Sequence, residues 1–472
     1  MTTIATEFSR TDGGPAVPCV SGRPRIGLVL DHPRRDMLGL VLVALELAEA
    51  GASAVIIPQY GAWIDARLAK LDAMVFNYAR PGNMPAIRAV ADSKADIFVL
   101  DTEGYLSSDK HSMLLEALSG LKVSRFLQGY FVWGEASGQA IAKADPELAS
   151  KIAVTGCPRF DLLAPRWRAM LSYRQSGHVL INPNFNSVNP RQGVPELERA
   201  SMLKCGWEPT YLDRFLADMR VGFQGFLKLC RTLPRRLPHR QFVVRPHPFE
   251  LVEPYHQATA GIPNIHVNAE GEVFSVLSQA THLVHLNCNT SVEARLLGVP
   301  ALQAGFLNSD FLRAHLPLYS GVSTSAPDFE DLVRLIEDKS YLASREDTAG
   351  LFERWIRPSF HLCDGFAARR VARGILERLR PRQARDGLRS SLGRTEQLRR
   401  SCRLALCDLT GTKAIETVQR KLDPLRNAKL FSDGDIAAAV NALSRYLGRP
   451  APPVRRLRGR LTRAPHNAIE IG

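Results

Sequence analysis

Cysteine pairs, membrane-length apolar runs, a signal core and aromatic-rich basic stretches are all missing from this sequence of 472 residues. Its eight cysteines, at 19, 157, 205, 230, 288, 363, 402 and 407, form no Cys-x-x-Cys pair and no ladder of zinc-like spacings. They read as reduced packing residues rather than a disulfide frame or a metal site. The longest apolar region, MLGLVLVALELAEAGASAVII, is interrupted by Glu46, Glu49 and Gly51, so it predicts helix, turn and strand rather than a bilayer span. Residues 1–24 lack an apolar signal core and read as a loose tail. A cytoplasmic protein is therefore expected. The basic residues are not interleaved with aromatics, which make up 7% of the chain, and no RNA or DNA module is recognisable. Nucleic acid is accordingly not an expected partner.

What the chain has in excess is positive charge, +14 in all. Residues 381–472 hold 19 Lys and Arg against 8 Asp and Glu, so 11 of the 14 charges lie in the last fifth and the remaining body is nearly neutral. Within this extension SDGDIAAAVNALSRYLG predicts an amphipathic helix, with Ser432 as N-cap, Ile436, Val440, Leu443 and Leu447 on one face, and Gly448 at the stop. The following PPVRRLRGRLTRAPH reads as a basic, mobile segment. Its cluster of Arg455, Arg456, Arg458, Arg460 and Arg463 suits an anionic membrane surface, which would place the protein peripherally on the inner membrane face.

The rest is an alternation of strands and helices. RIGLVLD, SAVIIP, DAMVFNY, DIFVLDTE, YFVWGE and KIAVTG are strands of a first run, and HVLINPNFN, RQFVVRPHP, NIHVN, THLVHLN and VPALQA those of a second. Helices are expected over 36–50, 211–233, 271–280 and 290–297. Strands separated by helices of 10 to 15 residues imply doubly wound parallel sheets, so the fold class is α/β with two Rossmann-like domains, 25–172 and 173–380, and a basic, mostly helical extension over 381–472. Chemistry gathers at the carboxyl ends of such strands. In the first run these carry Asp31, Asn77, Asp101, Glu103, Glu135 and Gly156; in the second, Asn182, Asn184 and Asn186 cluster at one end.

Four stretches carry candidate chemistry. In QFVVRPHP, Pro246 marks where the strand leaves its sheet, since proline cannot donate to a ladder. The two prolines restrict the backbone on both sides of His247, which could then bond a phosphate oxygen or protonate a leaving group beside the fixed charge of Arg245. In HLNCNTSVEARLLGVP, Asn289, Thr290 and Ser291 open a helix whose start can take a phosphate. Glu293 either completes a capping box with Thr290 or accepts from ribose hydroxyls. In VLDTEGY, Asp101 and Glu103 point to one side of a continuing strand, and two close carboxylates push their pKa values apart so that one can act as a base. In the opening loop, Arg35 is a substrate candidate and Asp36 an N-cap. Arg159 and Asp161 are expected to form an interdomain or hinge ion pair. His282 and His285 point to opposite faces of a strand and are no metal pair. Asn184 is a donor-side contact. Neither cofactor nor metal is expected.

The pairing of Arg245-Pro246-His247-Pro248 with a Ser/Thr-rich helix start and Glu293-Ala294-x-x-x-Gly298-x-Pro300 resembles the donor half of GT-B-type bacterial cell-surface polymer transferases, such as sialyl, Kdo and teichoic-acid transferases. Together with RRDMLGLVLVALELAEAGASAVI, VLDTEGY, YFVWGE, VTGCPRFDLL and VLINPNFN, the order of motifs is similar to the surface carbohydrate biosynthesis protein family over about 25–375. The resemblance implies a metal-independent glycosyltransferase with a nucleotide-sugar donor, a CMP-sugar favoured, and a glycan or lipid-linked acceptor. It also implies that His247 and Arg245 lie near the donor phosphate with Asn289, Thr290 and Ser291 opposite. This chain has Asn-Thr-Ser where many relatives show paired serines, and the extension lies outside the match. Two alternatives stay open: a CDP-polyol phosphotransferase of teichoic-acid type, and, on net charge, a nucleic-acid-binding protein.

Overall fold

A computed structural model describes residues 23–102, 120–171, 177–191, 194–204, 207–346, 350–381, 393–412, 429–459 and 464–472. Glu103, Arg460 and Arg463 lie outside the described residues. In the first half, β1 (Arg25–Leu30), β2 (Ser53–Pro58), β3 (Ala73–Phe76), β4 (Asp96–Leu100), β5 (Leu127–Val132) and β6 (Ile152–Val154) form a parallel sheet in the order 2-1-3-4-5-6. Leu28 stands level with Ile56 of β2 and Val75 of β3. These strands read as unbroken apolar runs because helices cover both faces of the sheet. The second half pairs β7 (His178–Asn182), β8 (Phe242–Val244), β9 (Ile265–Val267), β10 (Ala280–His285), β11 (Ala301–Ala304) and β12 (Thr324–Ala326), again all parallel, in the order 12-11-10-7-8-9. The protein thus has two Rossmann-like doubly wound domains. Strand order reverses between β1 and β3 in the first and between β7 and β10 in the second, and these are the two points where crevices open.

One continuous set of buried side chains joins the halves, from Leu28 and Ile56 through Phe160 and Phe360 to Leu180 and Leu283. The expected helices are present as Pro33–Glu49, Pro209–Arg236, Val273–Leu277 and Thr290–Leu297. In the first, Gly39 lets the helix lie against residues 158–159, where an added Cβ would come within 2.7 Å of the Arg159 nitrogen. Among the described residues no helix is long and apolar enough to cross a membrane.

Two parts of the chain differ from expectation. Residues 357–378, expected with the second domain, pack on the first. The helix Ala367–Arg378 lies along Pro33–Glu49, and the buried Asp161 carboxylate accepts the N–H groups of Ala367 and Ala368, both at 2.8 Å. Asp161 therefore does not pair with Arg159; it satisfies the open donors of a helix start distant in sequence.

The C-terminal segment is the second difference, a hairpin where a mobile arm was expected. Strand β13 (Val454–Arg458) pairs antiparallel with β14 (Pro465–Ile471), and β14 pairs antiparallel with β2, Ile469 facing Ile56. The physical reason is the open edge of β2: a third apolar strand covers it, burying Ala468, Ile469 and Ile471 completely. Arg455 is paired with Glu470, and Arg456 with Asp433. The helix Asp433–Tyr446 begins at the expected Ser432, whose hydroxyl and N–H form a reciprocal capping box with Asp435. Its apolar face is covered by Pro33–Glu49.

Candidate active site

A cavity of about 300 Å³ opens at the strand-order reversal of the second sheet and faces the first domain. Its second-domain wall comes from three strand ends: Asn182 and Asn184 after β7, Arg245 to Pro248 after β8, and Cys288, Asn289, Thr290 and Glu293 after β10. Across it stand His32, Arg34, Arg35, Thr102, Trp133 and Arg159 of the first domain, with Glu272 and Tyr319 closing the rim. Sequence reasoning thus brought together His247, Arg245, Asn184, Asn289, Thr290 and Glu293. It missed His32, Arg34 and Glu272, for which a place beside a strand end was the only signal.

His247 sits between its prolines, and its Nδ1 accepts the Phe249 N–H at 3.3 Å. That bond occupies the Nδ1 lone pair, so in the neutral ring the proton is on Nε2. The ring also packs 5.6 Å from Phe249, which in turn meets the ring of His32 edge-on at 5.5 Å. Arg245 lines the cavity, but its two terminal nitrogens donate to the carbonyls of Glu270 and Gly271. Burial and the nearby Arg34 draw its pKa below the ordinary value. The guanidinium therefore pins the loop beyond β9 as well as contributing charge.

At the helix start, Asn182 donates to the Thr290 hydroxyl at 3.1 Å. Asn184 donates to the Asn287 carbonyl at 3.0 Å. Ser291 departs from expectation: completely buried, it donates to the Cys288 carbonyl at 2.8 Å, so its hydroxyl is turned into the helix rather than the cavity. The Cys288 thiol is pushed up by burial and has the character of an inert packing group.

The capping box expected for Thr290 and Glu293 is also absent. The helix begins at Thr290 itself, after Asn289, with no side-chain cap. Glu293 instead meets Arg159 at 3.2 Å, which makes it the interdomain partner of Arg159 in place of Asp161. Burial pushes Glu293 up, and Arg159 is the main group holding it down.

On the first domain, the Asp101 carboxylate is buried and accepts the Tyr130 hydroxyl at 2.9 Å. The cavity is reached there by its neighbour Thr102. Arg35 bridges Asp31 and Asp36, both at 2.9 Å, and Lys429 of the extension meets Asp31 at 2.6 Å. Asp36 is not an N-cap, because Pro33 starts the helix three residues earlier; it accepts the His32 N–H from within the first turn. Glu135 is engaged by His361 at 2.7 Å. His282 and His285 are both buried, with pKa values pushed down to about 4 and about 3 by desolvation. Among the described residues no group of three or more His, Cys, Asp or Glu could hold a metal ion.

Electrostatically the cavity favours an anion. Arg34, Arg35, Arg159 and Arg245 face Glu272 and Glu293, and burial pushes Glu272 up to about 7, weakening its opposition at neutral pH. His32, held down to about 4 by burial and Arg35, is neutral. Guanidinium groups, a neutral imidazole donor and a helix start around 300 Å³ suit a phosphate-bearing ligand.

No family model matches the chain, and no curated protein matches it in sequence. Among solved structures it is similar to MnaA of S. aureus in a UDP co-structure, at 12% identity and TM-score 0.47 over 75% of this chain and 96% of that one. A putative UDP-N-acetylglucosamine 2-epimerase from Listeria monocytogenes compares at 13% identity and TM-score 0.48, covering 75% and 96%. The wall teichoic acid polymerase TagF compares at 10% identity and TM-score 0.46, covering 76% and 89%. Likenesses this distant say nothing of substrate, and the two-domain fold stands on the strand orders themselves.

Proposed function

We propose that the protein is a glycosyltransferase that moves a sugar from a nucleotide donor to a surface polysaccharide or its lipid-linked precursor, at the inner face of the membrane. The observation that carries this reading is the cationic cavity at the second strand-order reversal, whose second-domain wall holds both His247 and the helix start at Thr290. A donor phosphate placed there lies within reach of guanidinium groups and of the Nε2 proton. As the bond from the anomeric carbon to the phosphate oxygen breaks, its electron pair leaves on that oxygen, and the imidazole N–H stabilises the developing charge. The acceptor oxygen forms the new bond to the same carbon. Its proton passes to a carboxylate, for which Asp101 and Glu103 are the candidates. The preference for a CMP-activated sugar follows the sequence resemblance.

Melting curves with CMP, CDP and UDP compounds test the donor, because a ligand that binds only the folded state raises the melting temperature with its concentration. His247→Ala is expected to lower kcat/KM by about 10²-fold or more while leaving the melting temperature nearly unchanged. Full activity in that variant would remove the basis of the reading.

A further inference from the structure

A second, larger space of about 790 Å³ adjoins the cationic cavity, and His32, Arg34, Pro248 and Glu272 line both. Its chemistry differs from its neighbour's. Met37, Leu38, Met170 and Leu430 form much of its wall, and the helix Asp433–Tyr446 of the C-terminal extension adds Ala438 and Ala442. These two alanines are four residues apart, hence on one helix face, and both are exposed. The opposite face of the same helix buries Ile436, Val440 and Leu443. The apolar groups that line this space form one side of a groove, Arg191 and Asp435 also line it, and the polar His32, Arg34 and Glu272 stand where it joins the cationic cavity. At that junction both ring nitrogens of His32 are buried and have no hydrogen-bond partner among the described residues, although the residue is only 5% exposed. Buried polar atoms left so are uncommon and point to a partner supplied from outside the chain.

We propose that this groove is the acceptor site, and that it takes an amphiphile: a hydroxyl-rich head resting at His32 beside the donor cavity, and an apolar aglycone lying along Met37, Leu430, Ala438 and Ala442. Continuity with the cavity identifies the occupant as the second substrate, a step that rests on the donor reading above. The methyl-rich wall selects an apolar carrier over a free glycan, whose hydroxyls would go unpaired against it. The C-terminal extension, through its helix, thus builds one side of the acceptor groove.

The probes are octyl and methyl β-D-glucopyranoside, compared by ligand-detected NMR titration of the full chain below the micelle concentration of the octyl compound. Burying as few as two additional methylenes gives roughly a tenfold preference for the octyl glycoside. Ala438→Trp and Ala442→Trp fill the groove from an exposed position and are expected to abolish that preference, while the nucleotide-induced rise in melting temperature persists. Equal binding of the two glycosides, or an unchanged preference in both tryptophan variants, overturns the proposal. If the variants do not fold, a diazirine-bearing octyl glucoside on the wild-type chain decides the matter: labelling within 430–442 supports the groove, and labelling elsewhere refutes it. Failure of every nucleotide to bind would instead sink the donor reading, and the alkyl preference would still be measurable.

Discussion

Removing the guanidinium that crosses the domain boundary should leave a charge stranded. Arg159 and Glu293 meet at 3.2 Å with side chains 11% and 5% exposed, and Arg159 is the largest influence holding the buried Glu293 down. Methionine at 159 keeps an apolar stem against Trp133 and Phe160, whose rings lie 5.7 and 5.1 Å from the guanidinium. Breaking a buried pair from one side costs about 3–5 kcal/mol, a large part of the roughly 5–15 kcal/mol that holds a protein folded. The cost depends on pH. In Arg159→Met the folded-state pKa of Glu293 rises further above its ordinary 4.5, so between those values the folded chain binds more protons than the unfolded one. Because Glu293 is already raised in wild type, the penalty relative to wild type stays constant below the wild-type folded pKa and grows above it, by up to about 1.4 kcal/mol per unit, until pH passes the variant's higher value. Urea unfolding of wild type, Arg159→Met, Glu293→Gln and the double variant at pH 5 and pH 8 measures this. The expected result is a penalty markedly larger at pH 8 in Arg159→Met, mostly restored by adding Glu293→Gln. A penalty equal at both pH values, or a double variant no more stable than Arg159→Met, would refute the assignment of Glu293 as the stranded charge.

Three further outcomes follow from the structure. A chain ending at residue 450 should fail to fold or lose several kcal/mol in urea unfolding, since burying Ile469 and Ile471 alone contributes about 1.5–3 kcal/mol each and both are fully buried; an unchanged midpoint would show that β14 is dispensable. His285, pushed down to about 3 by burial, has a folded pKa below its unfolded one, so stability is lost as pH falls below about 6.5; the stability difference between wild type and His285→Gln should therefore shift against wild type by up to about 1.4 kcal/mol per pH unit down to about pH 3, and a constant difference would contradict it. Membrane attachment is best tested without truncation: Arg455→Gln with Arg458→Gln should reduce co-sedimentation with anionic vesicles at low salt, at about 1 kcal/mol per charge, and equal binding would remove the membrane role.

The parallel strands and the strand-end histidine were legible because their signals are local: apolar runs of strand length, prolines that stop them, and a helix opened by Asn289-Thr290-Ser291 and closed by Gly298 with φ +78°. What escaped depends on pairing at long range. Arg159 meets Glu293 rather than the nearby Asp161 because folding carries Asp161 to the helix start at Ala367, where the N–H groups of Ala367 and Ala368 take its two oxygens. Arg245 reads as a free charge until loop carbonyls at 270 and 271 are brought to it. Residues 454–458, VRRLR, look solvated in isolation. They become a strand because β14 offers them a ladder and Glu470 and Asp433 offer them counter-charges.

The antiparallel edge formed by β14 also sets a timetable for biogenesis. Strand β2 is made some 417 residues before the strand that shields it, and Arg25 and Ser53 meet Glu470 only once that strand has emerged. At roughly 5–20 residues per second, the interval is on the order of 20 to 80 seconds. Throughout it, the nascent first domain presents SAVIIP as an uncovered apolar edge, the kind of surface that recruits strands from neighbouring chains. Chaperone occupancy of ribosome-bound chains should accordingly fall only once β14 has emerged, later than the completion of the second domain.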